Sequence, residues 1–307
     1  MSGSDDSGVD RPPLSIVVGT REGWPYVRPV LEAVRGDAEA MGAEIVFADG
    51  SGMQPPPPDE VGPQVRWLSL DEPSVFRLYS RGISSARGDI IATTEDHAVP
   101  RPGWCTAIVR AHAEHPEAAA IGGAIENGSH ESLIDWASYF ITQGPHMAPQ
   151  GNRRVAVTTN EADVSYKRHA LVDLDDNGGL GFMAILHNRR LAERGAILRV
   201  DDRMAVDHYQ TIGFGATSAI HFHNGRAISG FRRHNGMAAT EWLRLLALPL
   251  LPLWRTARTI RLGLSKGRHR RVLLASAPLA LWLDYCQAAG HALGYLAGPG
   301  KSPDHLR

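Results

Sequence analysis

The chain has 307 residues, 43% of them hydrophobic and 21% charged, enough to bury a sizeable core in one large domain or a domain with an appendage. A net charge of -1 and a pI near 6.9 argue against a general nucleic-acid binder, whose domain is normally basic. Two distant cysteines, Cys105 and Cys286, exclude a disulfide framework and a cysteine zinc site and fit a reducing cytoplasm.

Residues 1–12 are polar and acidic, without the apolar segment of a signal peptide, and read as a flexible tail. "LSIVVGT" has the β-branched, Gly-terminated pattern of a buried parallel strand. In the next segment Val27, Val30, Leu31, Val34, Ala38 and Met41 fall on one helical face, and Gly42 suits the C-terminal cap. "AEIVFADGSG" is a strand running into an Asp/Gly/Ser turn. Pro55–Pro58 mark a stiff surface loop, "VRWLSL" a third strand, "SVFRLYSRGISSARG" a helix and "DIIATTEDH" a fourth strand. "PGWCTAIVRAHAEHP" returns to helix, "AAAIGGAIENG" is extended, and "SLIDWASYFITQG" is helical with Ser132 as cap. This alternation predicts a mostly parallel α/β sheet covered by helices, with ligands at the carboxyl ends of the strands.

Beyond residue 150, "VAVTTNEADVSYKRHAL" reads as a strand leading into a helix, "GFMAILHNRRLAERG" as an amphipathic helix and "AILRVDDRMAVDH" as extended. "SAIHFHNGRAISGFRRHNG" is polar, basic and Gly-containing, so a loop or short helix is expected. Further on, Arg244, Arg255, Arg258, Arg261, Lys266, Arg268, Arg270 and Arg271 face the single acid Glu241 between positions 241 and 271. Pro249 and Pro252 divide this region, and the apolar "VLLASAPLALWLDYCQAAGHALGYLAG" is interrupted by Asp284, Gln287 and His291. Basic, Trp-bearing helices of this kind favour an anionic membrane surface; a hairpin packed on its own domain is the alternative.

Glu95, Asp96 and His97 stand where a strand ends. Glu95 and His97, two apart on an extended segment, share a side and suit one divalent cation, with His208 as a remote third ligand. The alternative is a turn in which Asp96 caps the helix beginning near Pro102. His221 and His223 form a weaker pair. Asp49 suits either a ligand contact or an Asx-turn.

The order "SIVVGT…ADGSG…SRGISSARGDIIATTEDHAVPRPGW" resembles the inverting family 2 glycosyltransferases of GT-A fold, as do "DVSYKRHAL", the helix end at Gly195 and "VDH". The resemblance implies a Rossmann-like GT-A domain over 13–235, with a helical C-terminal region over 236–307. The donor is then a UDP- or GDP-linked sugar, with Thr20, Asp49 and Asp96 at the nucleotide. Glu95, His97 and His208 hold Mn²⁺ or Mg²⁺ against the pyrophosphate, and Arg87, Arg226 and Arg232 supplement its charge. Where the family usually carries Glu-Asp, counting back from Gly195 gives Met183 and Ala184, neither of which takes a proton. Glu161 and Asp163 are the nearest acidic substitutes for the catalytic base. The acceptor expected from the C-terminal region is lipid-linked or membrane-proximal, at the cytoplasmic face of the cell membrane. The competing readings are a degenerate transferase that only binds a nucleotide or a partner, and a nucleotidyltransferase, which "VVGTREG" faintly echoes.

Overall fold

A computed structural model describes residues 11–157, 160–172, 181–234 and 246–306. Most of the expected N-terminal tail, and Glu241 and Arg244 of the basic stretch, lie outside these residues.

The strands are β1 (Leu14–Thr20), β2 (Glu44–Asp49), β3 (Val65–Ser69), β4 (Ile90–Glu95), β5 (Ala98–Pro100), β6 (Ala118–Asn127), β7 (Arg153–Val155), β8 (Asp163–Lys167) and β9 (Ile197–His208). They form one sheet in the order β3-β2-β1-β4-β8-β6-β9-β5, with β7 also on β9. β1, β2, β3 and β4 are mutually parallel, and β6 is parallel to β9. β8 runs against both β4 and β6, so the sheet is mixed about one reversed central strand.

β1 and β2 are buried along their whole length, as parallel strands covered on both faces must be. Ile16, Val18, Ile45 and Phe47 pack against Val30, Leu31 and Val34 of α1 (Arg28–Met41) and Trp104 and Ile108 of α4 (Trp104–Glu114). Val17, Val46 and Ile91 point the other way, to Tyr79 and Ile83 of α3 (Val75–Ser85) and Leu191 of α6 (Ala184–Glu193). A short turn of helix, α2 (Pro58–Val61), leads into β3. α1 ends on Gly42 at φ 69, the left-handed cap that glycine adopts without strain. Ser132 caps α5 (Leu133–Thr142), its hydroxyl accepting from the Asp135 amide at 3.3 Å.

The segment expected as a loop or short helix is a 21-residue helix, α7 (Phe214–His234). Of its glycines, Gly225 lies where the C-terminal helix α9 (Arg270–Ala297) crosses closest, Gly230 faces Pro299 just beyond that helix, and Gly215 is open. A Cβ at Gly225 would collide with the Gln287 carbonyl, and one at Gly290 with that of Phe222. Helix α8 (Leu251–Ser265) starts with Pro252 in its first turn, where a missing amide costs nothing. By length and composition α9 is apolar enough to cross a membrane. Its interrupting polar groups turn inward instead. Asp284 accepts from Thr256 Oγ1 at 2.7 Å and pairs with Arg255 at 3.1 Å. Gln287 accepts from Arg255 at 2.6 Å, and His291 Nδ1 lies 2.6 Å from Ser229 Oγ.

Candidate active site

Parallel pairing sets Thr20 beside Asp49 and Gly19 beside Glu95, so the carboxyl ends of β1, β2 and β4 share one edge. β4 stops at Glu95. Asp96 and His97 form a turn, and β5 then runs antiparallel to the end of β9, with Ala98 opposite His208. This turn carries the chain across the sheet edge and brings together residues 113 positions apart. His208 Nε2 lies 2.9 Å from Glu95 Oε2, and His97 Nε2 lies 3.3 Å from the same oxygen. The ligand atoms of Glu95, His97 and His208 all fall within 4.8 Å of one another. One carboxylate and two imidazoles make a donor set for a divalent transition metal.

Asp96 does not cap a helix. Its Oδ1 lies 2.7 Å from His97 Nδ1, and its Oδ2 accepts from the Thr20 hydroxyl at 2.8 Å. An imidazole that donates from Nδ1 to a carboxylate keeps the Nε2 lone pair for a metal, the usual second layer of a histidine metal site. Thr20, fully buried, accepts in turn from the amides of Glu22 and Gly23. Thr20 and Asp96 therefore position His97, and Asp96 also lines the cleft that the cluster faces. Burial pushes the Glu95 carboxyl up, but the His208 bond and both imidazoles outweigh it and hold it below the ordinary value. Burial also lowers the His208 pKa, keeping the ring neutral as a ligand must be.

The cluster lines a cleft of about 990 Å³ with Tyr79, Glu161, Met183, Ala184 and Arg232. Because β8 is reversed, its first residue, Asp163, pairs with Thr94 at the ligand edge, and the chain just before it overhangs the cleft. Glu161 Oε1 accepts from the Ile185 amide at 3.4 Å, so its carboxylate caps the first turn of α6 beside Met183 and Ala184. Burial and the neighbouring Glu95 raise its pKa to about 7. Asp163 is different. It is fully buried, accepts from the Trp104 indole at 3.0 Å, and lies in the sheet rather than on the cleft. Burial drives its pKa well above the ordinary value.

Several residues expected at the ligand make bonds within the fold. Asp49 accepts from the Ser51 amide at 2.8 Å and the Trp67 indole at 3.2 Å, an Asx-turn. Arg87 lies at the opposite, amino-terminal edge of the sheet, 2.9 Å from Glu44. Ahead of a strand rather than after it, Arg87 cannot reach the cluster. Arg226 donates to the Gly298 carbonyl at 3.2 Å, fixing the end of α9, and does not line the cleft. His221 and His223 do not pair: His221 Nε2 meets Ser138 Oγ at 3.1 Å, and His223 stacks on His305. Tyr79, which the sequence did not single out, lies over Gly19 and bonds the Thr94 carbonyl at 2.9 Å. Gly19, one residue before the end of β1, was its only signal.

A mixed sheet with covered faces and a carboxylate–imidazole cluster at the strand ends defines a GT-A architecture. Residues 15–163 match the family described as Glycosyl transferase family 2. Residues 15–163 form a glycosyltransferase family 2 domain, on a GT-A fold. No curated protein sequence matches the chain. Among solved structures it is similar to the mannosyltransferase PcManGT from Pyrobaculum calidifontis in complex with GDP-Man and Mn²⁺. That likeness has 15% identity, covers 94% of this chain and 88% of that one, and has a TM-score of 0.55. A crystal structure of S. aureus TarS 1-349 aligns at 12% identity over 90% of each chain with a TM-score of 0.46.

Proposed function

We propose that the protein transfers a sugar from a nucleotide-diphosphate donor to an acceptor hydroxyl, with inversion, using a divalent cation and Glu161 as general base. The observation that carries this is the convergence of Glu95, His97, His208 and Glu161 on one cleft at the strand carboxyl ends. That edge is where open α/β sheets bind ligands. A PcManGT complex with GDP-Man and Mn²⁺ on a similar fold supports the donor class.

Glu95, His97 and His208 would hold the cation, and two imidazoles favour Mn²⁺ over Mg²⁺, which prefers oxygen. A cation held by these three residues would neutralise the charge that grows on the departing nucleoside diphosphate. Glu161, lacking the burial partners of Asp163, takes the proton of the acceptor hydroxyl as its oxygen attacks the anomeric carbon. It stands beside Met183 and Ala184, where the family's usual carboxylates are missing, and supplies the same function from the segment before β8 rather than from α6.

Residues 13–235 form the catalytic unit in this reading, and 236–307 attach it to the cytoplasmic face of a membrane. Leu246, Leu250, Leu253 and Trp254 are exposed beside Arg258, Arg261, Arg270 and Arg271, the mixture of an interfacial helix. Such attachment places the cleft next to a lipid-linked acceptor.

Thermal unfolding with UDP, GDP or their sugars, each with and without Mn²⁺, tests the donor assignment. A binder at 100 times its Kd stabilises by about 2.7 kcal/mol. Stabilisation that needs both nucleotide and Mn²⁺ is expected. None from any nucleotide diphosphate rejects the donor reading. Binding without turnover on any acceptor favours a degenerate transferase.

A further inference from the structure

The cleft extends beyond the metal cluster to a second end built by α7, α8 and α9, which the reaction described above does not use. Its lining there includes Arg232 of α7 and Arg255 and Arg258 of α8, alternating with Leu248, Leu251 and Trp254. Arg255 is close enough to Arg258 and to Arg232 to feel the charge of each. Burial lowers the Arg255 pKa; Asp284 opposes this, and the like charges of Arg258 and Arg232 add to it. Among the described residues Asp284 is the sole carboxylate paired with any of the three. The Arg232 Nε is buried without a partner. Three positive groups against one carboxylate, in a cleft with low-dielectric walls, attract an anion strongly.

The second feature is apolar. Trp254 lines the cleft and is also 59% exposed, with Arg258 5.6 Å from its ring centroid. Leu250 and Leu253 continue the apolar surface outward from it, at 69% and 49% exposure. The ligand that matches both features has a charged phosphate at the arginines and an apolar chain leaving across Trp254. Guanidinium forks match phosphate oxygens.

We propose that this end of the cleft is the acceptor subsite, and that the acceptor is an amphiphile whose phosphate is anchored by Arg232, Arg255 and Arg258 while its apolar chain exits over Trp254. This rests on the glycosyltransferase reading only for the word acceptor; the binding itself does not. It also reassigns Arg232 from the donor's pyrophosphate to the acceptor. The phosphate is an anchor, and the reacting hydroxyl lies further along the molecule, towards Glu161.

Calorimetric titration of the full-length protein with decyl phosphate, below its micellar concentration, decanol and inorganic phosphate tests the proposal. Decyl phosphate is expected to bind at least about tenfold more tightly than either of the others, since charge-assisted hydrogen bonds carry that much. Arg232→Ala combined with Arg258→Ala should lower that affinity about tenfold and leave GDP or UDP binding in Mn²⁺ within about twofold. Equal binding of decanol overturns the phosphate anchor. Inorganic phosphate binding as well as decyl phosphate overturns the apolar exit. A double variant that loses nucleotide affinity while keeping decyl phosphate returns the arginines to the donor and ends the proposal. If the double variant does not fold, Arg258→Gln on the exposed face of α8 serves, and unchanged decyl phosphate affinity in it is equally fatal. A protein that ignores every nucleotide yet binds decyl phosphate in this pattern rejects the donor assignment and keeps the subsite.

Discussion

Glu161 presents its carboxyl to the first turn of α6 and to the cleft, where burial and Glu95 raise its pKa to about 7. A base must be ionised to act, so kcat should rise with pH through this region rather than near the usual carboxylate range. A divalent cation on Glu95 offsets the repulsion, so the inflection at saturating Mn²⁺ should lie below 7; a kcat–pH profile at saturating donor reads it. Glu161→Gln keeps the Ile185 bond through its amide oxygen and should cut kcat about 10²–10⁴-fold with nucleotide affinity intact. Asp163, two residues on, tests the opposite case. Its folded pKa is raised, so the stability it contributes is full below the unfolded value of 3.8 and is lost as pH rises through the folded value. Asp163→Asn retains an acceptor for Trp104 and removes that loss. The variant should remain active and melt higher than the parent at pH 8, with the gap shrinking as pH falls. An inactive Asp163→Asn beside an active Glu161→Gln would reverse the two roles.

At the scale of elements, the turn Asp96-His97 and the reversed strand β8 build the site. Glu95 and His97 were legible because a strand end followed by Pro102 and Trp104 is a local pattern, as was His208 after an apolar strand. The direction of β8 was not. An isolated "DVSYK" has the same alternation in either direction, and only pairing with β4 and β6 decides it. That direction turns Glu161 into the cleft and Asp163 into the sheet. The long helix α7 was missed for a related reason. Gly225 and Gly230 lower helix propensity locally, while the gain comes from packing on α9 and on Pro299 just after it, whose backbone needs those positions empty. Gly290→Ala should therefore destabilise by about 1–3 kcal/mol, because its Cβ meets backbone that cannot rotate away. Gly215→Ala, with nothing within 4 Å, should be neutral or stabilise by up to about 1 kcal/mol. Urea unfolding of the two variants distinguishes packing from propensity.

For the whole molecule, α9 lies along α7 and α5 with Asp284 and Gln287 turned into the protein, while Leu274, Trp282, Leu293 and Leu296 are exposed, Trp282 stacking on Phe214 and donating to Ser218 Oγ at 3.0 Å. If the C-terminal region rests on anionic lipid, the full-length protein should sediment with phosphatidylserine-containing vesicles. Binding should weaken as salt screens the arginines, and Leu250→Ser with Trp254→Ser should weaken it further. Recovery in the supernatant at low salt would remove the membrane from the account. Sequence alone determined the strand ends, the caps and the donor types gathered at 95–97 and 208, because period, turn residues and side-chain type are written within a few positions. Tertiary structure decided which carboxylate faces the cleft, which arginines reach it and which merely fasten the fold. Those outcomes depend on strand direction and helix crossing, and both are set by contacts between residues remote in the chain.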